Sequence, residues 1–322
     1  MKAVRAHAAG GPEVLRYEDV PDPQPAAGQV LVRIEAIGMN FAEVGARRNA
    51  NVTNGPAPIG GEAAGTIVEV GADVTEFHLG DRVAFNAVPG CYAELVAVPA
   101  ARAVPIPAGV TTKQAAAALL QGMTAHYLAC TIWPLDESDS CLVHAAAGGV
   151  GLLLCQMARM RGATVIGTVS TEEKALAAQA AGAHHTILYT DLDFVDEVKR
   201  LTDGKGVNVV YDSVGQTTFL KGFDCLKPRG MMVSYGQASG AYEPLDLGVL
   251  ARNGSLFVTR AGLPAYTATR EELLWRANDV FGWIASGQLD VHIFKEFALS
   301  EAAQAQEALE HRATIGKVLL IP

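Results

Sequence analysis

Apolar and polar positions alternate with a period of two through much of the first hundred residues. The pattern is clear in Val30-Leu31-Val32-Arg33-Ile34-Glu35-Ala36-Ile37, Gly65-Thr66-Ile67-Val68-Glu69-Val70-Gly71 and Tyr92–Val98, and in Arg82-Val83-Ala84-Phe85 after a Gly80-Asp81 turn. Short strands at this spacing predict a small, barrel-like β unit. From Thr111 to Cys130 the chain turns Ala- and Leu-rich and reads as helix. Beyond it, apolar and β-branched runs at Cys141–His144, Thr164–Val169, Thr186–Tyr189, Val207–Tyr211, Met231–Tyr235 and Ser255–Val258 alternate with helical stretches from Val150, Thr171, Asp191 and near Thr217. That rhythm predicts a doubly wound parallel sheet, so the fold class is α/β with a second, β-rich domain. The tail holds an amphipathic stretch, Arg270 to Ile284, and a strand-like Lys317–Ile321 that can return to the N-terminal unit.

Composition narrows the class. Half of the 322 residues are apolar and 18% are charged, which excludes a disordered chain and suffices for a full core. Lys and Arg number 25 against 34 Asp and Glu, and the net charge of −9 argues against a broad nucleic-acid or anionic-membrane surface. The five cysteines form no CxxC pair, so neither a zinc ribbon nor a dithiol motif is present. The N-terminus has no apolar h-region and no run nears the ~18 residues of a spanning helix, so the expected compartment is the cytoplasm.

The strongest chemical signal is His144-Ala145-Ala146-Ala147-Gly148-Gly149-Val150-Gly151, between an apolar strand and a helix. Gly148 lets the backbone approach a pyrophosphate, Gly151 lets helix and strand pack closely, and free N–H groups at the helix start hold phosphates. Ala146 stands where the GxGxxG pattern has its first glycine. The second strand ends Val169-Ser170-Thr171 without the acid that would bind a ribose, and Lys174 one turn on fits a 2′-phosphate. Glu172 and Glu173 point the other way, since either fits a ribose.

Together with Gly10-Gly11-Pro12-Glu13-Val14-Leu15, Ala36-Ile37-Gly38-Met39-Asn40-Phe41, Gly61-Glu62-Ala63-Ala64-Gly65, Tyr211-Asp212-Ser213-Val214-Gly215 and Arg312-Ala313-Thr314, these residues resemble the medium-chain dehydrogenase/reductase superfamily over essentially the whole chain. The branch they resemble is its zinc-independent NADPH:quinone oxidoreductases, zeta-crystallin-like proteins included. Zinc alcohol dehydrogenases of the superfamily carry a metal-binding His where Gly61 stands, a cysteine ligand near Gly38–Asn40 and a four-cysteine lobe; this chain has none of these, so no zinc is expected.

The resemblance implies a GroES-like β-barrel domain over 1–118 and 261–322 and a Rossmann domain over 119–260, with NADPH and substrate between them. It implies a homodimer with Ser255–Arg260 as the seam, a small-molecule quinone or enone substrate, and neither membrane nor nucleic acid as partner. By position it marks Asn40 as the catalytic group, orienting the nicotinamide or bonding the substrate oxygen. As cofactor contacts it marks Asn40, Phe41, Glu43, Tyr127, Gly148, Gly149, Val150, Gly151, Ser170, Lys174, Tyr189, Val214, Ser239, Gly240, Leu263, Pro264 and Arg312. Gly45 and Asn51 replace tyrosines common in the branch, and the stretch Arg47 to Asn54 reads either as an altered pocket wall or as a solvated surface loop. The activity implied is hydride transfer from NADPH to a quinone or conjugated carbonyl. An enoyl-thioester or other alkene reductase is the enzymatic alternative; an RNA-binding or structural role is the alternative of another class.

Overall fold

The period-two stretches become strand, and further strands form beside them. The N-terminal part contains β1 (Lys2–Ala6), β2 (Leu15–Asp19), β3 (Gln29–Gly38), α1 (Phe41–Arg48), β4 (Ala57–Pro58), β5 (Glu62–Val70), β6 (Arg82–Asn86), β7 (Leu95–Pro99), β8 (Val104–Pro105) and α2 (Thr112–Tyr127). The computed structural model describes residues 1–322. They divide into two units, Met1–Met123 with Thr267–Pro322, and Thr124–Tyr266.

The helix expected through Cys130 ends its α form at Tyr127 and continues as a π turn, Leu128–Ile132, where the Tyr211 hydroxyl donates to the Leu128 carbonyl at 3.1 Å. The contiguous unit then alternates as the sequence predicts: β9 (Ser140–Val143), α3 (Gly149–Met160), β10 (Thr164–Val169), α4 (Glu172–Ala180), β11 (His185–Leu188), α5 (Phe194–Leu201), β12 (Val207–Asp212), α6 (Phe219–Gly222), β13 (Leu226–Ser234), α7 (Gly248–Arg252), β14 (Phe257–Arg260) and α8 (Leu263–Tyr266). Thr171 Oγ1 caps α4 by accepting from Lys174 N, and Asp193 caps α5 by accepting from Val195 N. All six strands are parallel, in the order β11-β10-β9-β12-β13-β14, so the chain reverses direction across the sheet between β10 and β12, at β9. Ligands of such sheets gather at the carboxyl ends of the strands beside that switch point. Leu142, Ile166, Ile187 and Val210 from the strands pack with Phe194, Val198, Phe219 and Phe223 to form the core of one face.

The tail adds α9 (Arg270–Ala285), β15 (Ile293–Ala298), α10 (Ala302–Glu310) and β16 (Lys317–Ile321). β16 returns to pair antiparallel with β3, placing Leu320 opposite Ile37. The resulting seven-stranded sheet runs β15-β16-β3-β5-β6-β8, with β7 also on β3; a second sheet is β2-β1-β4. This path of ladder bonds is open, from β15 to β8, so strand pairing does not close the barrel into a ring. Val32, Ile34, Ile67, Phe85, Val98, Val318 and Leu320 make its core. No helix is long and apolar enough to cross a membrane.

Candidate functional site

In the contiguous unit the glycine loop leaves β9 at the switch point. His144 N donates to Tyr211 O at 3.0 Å and Ala146 N to Thr168 O at 3.1 Å, which ties the loop to both neighbouring strands. The His144 ring, buried, shares a 2.9 Å hydrogen bond between Nδ1 and Thr168 Oγ1 and meets Phe194 edge-on; burial holds its pKa below the usual histidine range. Ala145 turns the chain with φ at +53°.

The glycines differ in what they do. A Cβ on Gly151 would lie 2.3 Å from Ala145 O and 2.7 Å from Ala146 O, so this glycine is required by the loop's own backbone. Gly148, the residue before α3, would meet only Ala145 O, at 3.2 Å. Its flank is open, and α3 starts there with its first N–H groups lacking intrahelical partners. Ala146 in the missing-glycine position is fully buried, and its methyl fills the room left by Gly167 on β10, where a Cβ would come within 2.7 Å of it. The departure from GxGxxG is thus offset by a glycine on the next strand.

Three of the other expected contacts gather at the ends of β10 and β11. Lys174 Nζ donates to Ser170 Oγ at 3.3 Å, Tyr189 N donates to Val169 O at 3.2 Å, and Tyr189 is half-exposed. Beyond β12, Asp212 Oδ1 accepts from the N–H groups of Val214 and Gly215. Ser239 Oγ donates to Val214 O at 2.8 Å, and a Cβ on Gly215 would meet Gly240 O at 2.8 Å, so the loops after β12 and β13 are locked together. Tyr127 is 1% exposed and stacks at 4.3 Å on Tyr266, which shares α8 with Leu263 and Pro264. Arg312 belongs to the other unit, exposed in the turn after α10.

The other unit holds a buried polar network. Glu62, fully buried, accepts from Lys317 Nζ at 2.6 Å, Asn40 Nδ2 at 2.8 Å and Leu120 N at 2.6 Å. Asn40 Oδ1 accepts from Lys317 Nζ at 3.0 Å and Gln121 Nε2 at 3.2 Å, while Nδ2 also donates to Gly38 O at 3.2 Å. Both amide hydrogens and both lone pairs of Asn40 are therefore used inside the protein. The resemblance expects Asn40 to orient the nicotinamide or bond the substrate oxygen; in the structure its side chain fastens the start of α1 through bonds to Gly38, Glu62, Gln121 and Lys317. The amide orientation is fixed, since a flip would set oxygen against Glu62 and nitrogen against the Lys317 ammonium.

Glu43, expected at the cofactor, is buried as well. It accepts from Tyr92 Oη at 2.6 Å, Asn40 N at 3.2 Å and Gly61 N at 3.2 Å. Burial pushes its pKa up to about 7, against the pull of the Tyr92 and Asn40 donors. Phe41, two residues before it, is exposed. The Arg47–Asn54 stretch splits: Arg47 is 0% exposed, bonded to Gly10 O, Gln306 Oε1 and Glu310 Oε1, whereas Arg48, Asn49, Asn51, Thr53 and Asn54 face solvent. Sequence reasoning missed Glu62, Lys317, Arg47 and Gln306; the one available signal was that charged or polar residues lie inside apolar strand and helix patterns. No three His, Cys, Asp or Glu side chains gather as a metal would need.

Known proteins match both units. The family model described as the alcohol dehydrogenase GroES-like domain matches residues 26–108, and that described as zinc-binding dehydrogenase matches 149–274. The quinone oxidoreductase of Pseudomonas aeruginosa is 43% identical over 100% of this chain and 99% of its own. The crystal structure of Escherichia coli quinone oxidoreductase complexed with NADPH superposes with a TM-score of 0.97 at 42% identity, covering 100% of both chains. The 2-haloacrylate reductase of a Burkholderia species is 42% identical over 98% of this chain and 97% of its own.

Proposed function

The chain belongs to the zinc-independent quinone oxidoreductase branch of the medium-chain dehydrogenase/reductase superfamily, and on that premise we propose that it reduces quinones and related conjugated carbonyls with NADPH. The observation that supports this most is the cradle at the switch point: an open Gly148 flank, the N-terminus of α3, and Ser170, Lys174 and Tyr189 together on the next strand ends.

These residues fit a dinucleotide carrying a 2′-phosphate. Gly149, Val150 and Gly151 would hold the pyrophosphate through backbone N–H groups, which favour negative charge at a helix start, while Gly148, whose own N–H donates to Ala145 O, would let the phosphates approach. Lys174, with Ser170 and Tyr189, would hold the 2′-phosphate; Val214, Ser239 and Gly240 shape the loops that follow. When bound, NADPH supplies the hydride. The chain's side chains provide no ligand set for a polarising metal, so the acceptor has to be electrophilic by itself, as a quinone is. The protein's share is orientation and exclusion of water.

Two finer points extend the reading. β14 lies at the edge of its sheet with Phe257 55% exposed, an edge that suits pairing with a second copy, so the enzyme acts as a homodimer; light scattering at working concentration checks it. The compartment is the cytoplasm. The deciding experiment is steady-state oxidation of NADPH and NADH against quinones, enones, acrylates and enoyl thioesters. The expected order puts quinones with NADPH first; acrylates or thioesters ahead of every quinone would overturn it.

A further inference from the structure

The parallel pairing of β9 with β10 ends at Val143, opposite Gly167. One residue further on, Thr168 makes two bonds to the start of the glycine loop. Its carbonyl accepts from Ala146 N at 3.1 Å, and its Oγ1 shares a 2.9 Å hydrogen bond with His144 Nδ1. On the opposite side of β9, His144 N donates to Tyr211 O of β12 at 3.0 Å. His144 is thus fastened to both strands that flank β9, and all of these residues belong to the contiguous unit.

A polar pair is a costly choice at this place. Both side chains are buried, and the imidazole meets Phe194 edge-on, with 4.9 Å between ring centres. Phe194 itself belongs to the core of Leu142, Ile166 and Val210. His144 Nε2 has no hydrogen-bond partner. A buried nitrogen left unpaired costs free energy, whereas replacing both members of a buried polar pair by apolar groups of similar shape is nearly neutral or stabilising. Stability alone therefore does not call for histidine and threonine here. What the pair adds is direction: a hydrogen bond fixes the loop's height against β10, and apolar contact is non-directional.

That height matters because the cradle is divided across it. The start of α3 lies on the loop's side, and Ser170, bonded to Lys174 and followed on the next strand end by Tyr189, lies two residues beyond Thr168. We infer that His144 is a positioning residue for cofactor choice: bonded to Thr168, it holds the pyrophosphate half of the cradle in register with the 2′-phosphate half, and so sets the preference for NADPH over NADH from within the core. The inference rests on the NADPH reading above. NADPH has to meet both halves at once, whereas NADH has no 2′-phosphate to misplace when the halves shift.

The test uses the full chain carrying His144→Leu with Thr168→Val, which exchanges the pair for an apolar one, and Thr168→Ser, which keeps the hydroxyl. Melting curves and calorimetric titrations with NADPH and NADH are compared with the parent. The double variant should melt close to the parent yet lose at least about 10-fold in NADPH affinity, the lower end of what one hydrogen bond to a charged group contributes, with a much smaller loss for NADH. Thr168→Ser should keep the parent's preference. If the double variant does not fold, Thr168→Val alone, which removes one hydroxyl at nearly constant shape, is read by the same ratio. An unchanged NADPH-to-NADH ratio, equal losses for both cofactors, or a lost preference in Thr168→Ser would each overturn the inference. A parent that prefers NADH, or binds neither dinucleotide, would instead overturn the reading beneath it.

Discussion

The two polar regions of this protein are built on opposite plans. The glycine loop and the ends of β10 and β11 are made largely of backbone, with N–H groups at the start of α3 and an open flank at Gly148. The network of Asn40, Glu62, Lys317 and Gln121 is made of side chains that satisfy one another out of water. Unsatisfied groups facing open space make a ligand site, and satisfied groups facing each other make a joint. The difference teaches that position in a family motif does not by itself tell the two apart, since both regions carry expected site residues.

If the network is a joint, breaking it costs stability before it costs chemistry. Lys317→Met leaves the Glu62 carboxylate buried without its cation, and removing one partner of a buried pair costs about 3–5 kcal/mol. Urea denaturation should show that loss, and the double variant with Glu62→Gln should recover much of it. A single variant as stable as the parent would place the network among the groups open to ligand.

The cradle should respond the other way. Gly151→Ala has to displace the Ala145 and Ala146 carbonyls and should abolish NADPH binding, whereas Gly148→Ala meets a single oxygen at 3.2 Å and should weaken it less. Calorimetric titration compares them; equal losses would mean that the loop's geometry is not what holds the cofactor.

Lys174→Ala sharpens the comparison by separating cofactors. A hydrogen bond to a charged group contributes about 1.5–3 kcal/mol, so NADPH affinity should fall about 10- to 150-fold, with NADH nearly unchanged. Equal losses for both cofactors would remove Lys174 from the phosphate and return Glu172 and Glu173 to consideration.

A more gradual effect, spread over pH, concerns Glu43. Its pKa is about 7 in the folded protein against 4.5 ordinarily, so between those values the folded state holds a proton that the unfolded state has released. Its contribution is then fully present below pH 4.5 and declines as pH rises to 7, by at most about 1.4 kcal/mol per pH unit. Glu43→Gln should flatten that part of the stability profile; an unchanged slope would assign the dependence to other groups.

What the sequence made legible follows from locality. The six parallel strands, their order of appearance and the strand at Lys317–Ile321 rest on periodicity within ten residues, and the structure has them; that this last strand pairs with β3 is seen only in the structure. β1 and β2 went unread because neither alternates cleanly against its surroundings. Lys317 and Glu62 stand 255 residues apart and Arg47 and Gln306 stand 259 apart, so no local pattern links them. Arg47 therefore looked as suited to a solvated loop as to a wall, and the partners of Asn40 could not be read.

The seating of Lys317 against Glu62 also sets an order of events during synthesis. A ribosome releases Glu62 and Asn40 early, then the whole of Thr124–Tyr266, and only afterwards the lysine that pairs with the carboxylate. The nucleotide-binding unit is contiguous and can complete itself while the chain is still being made. Its neighbour has Glu62 waiting for a lysine 255 residues downstream, so β16 acts as the closing stitch of a domain whose β1 was translated some three hundred codons before.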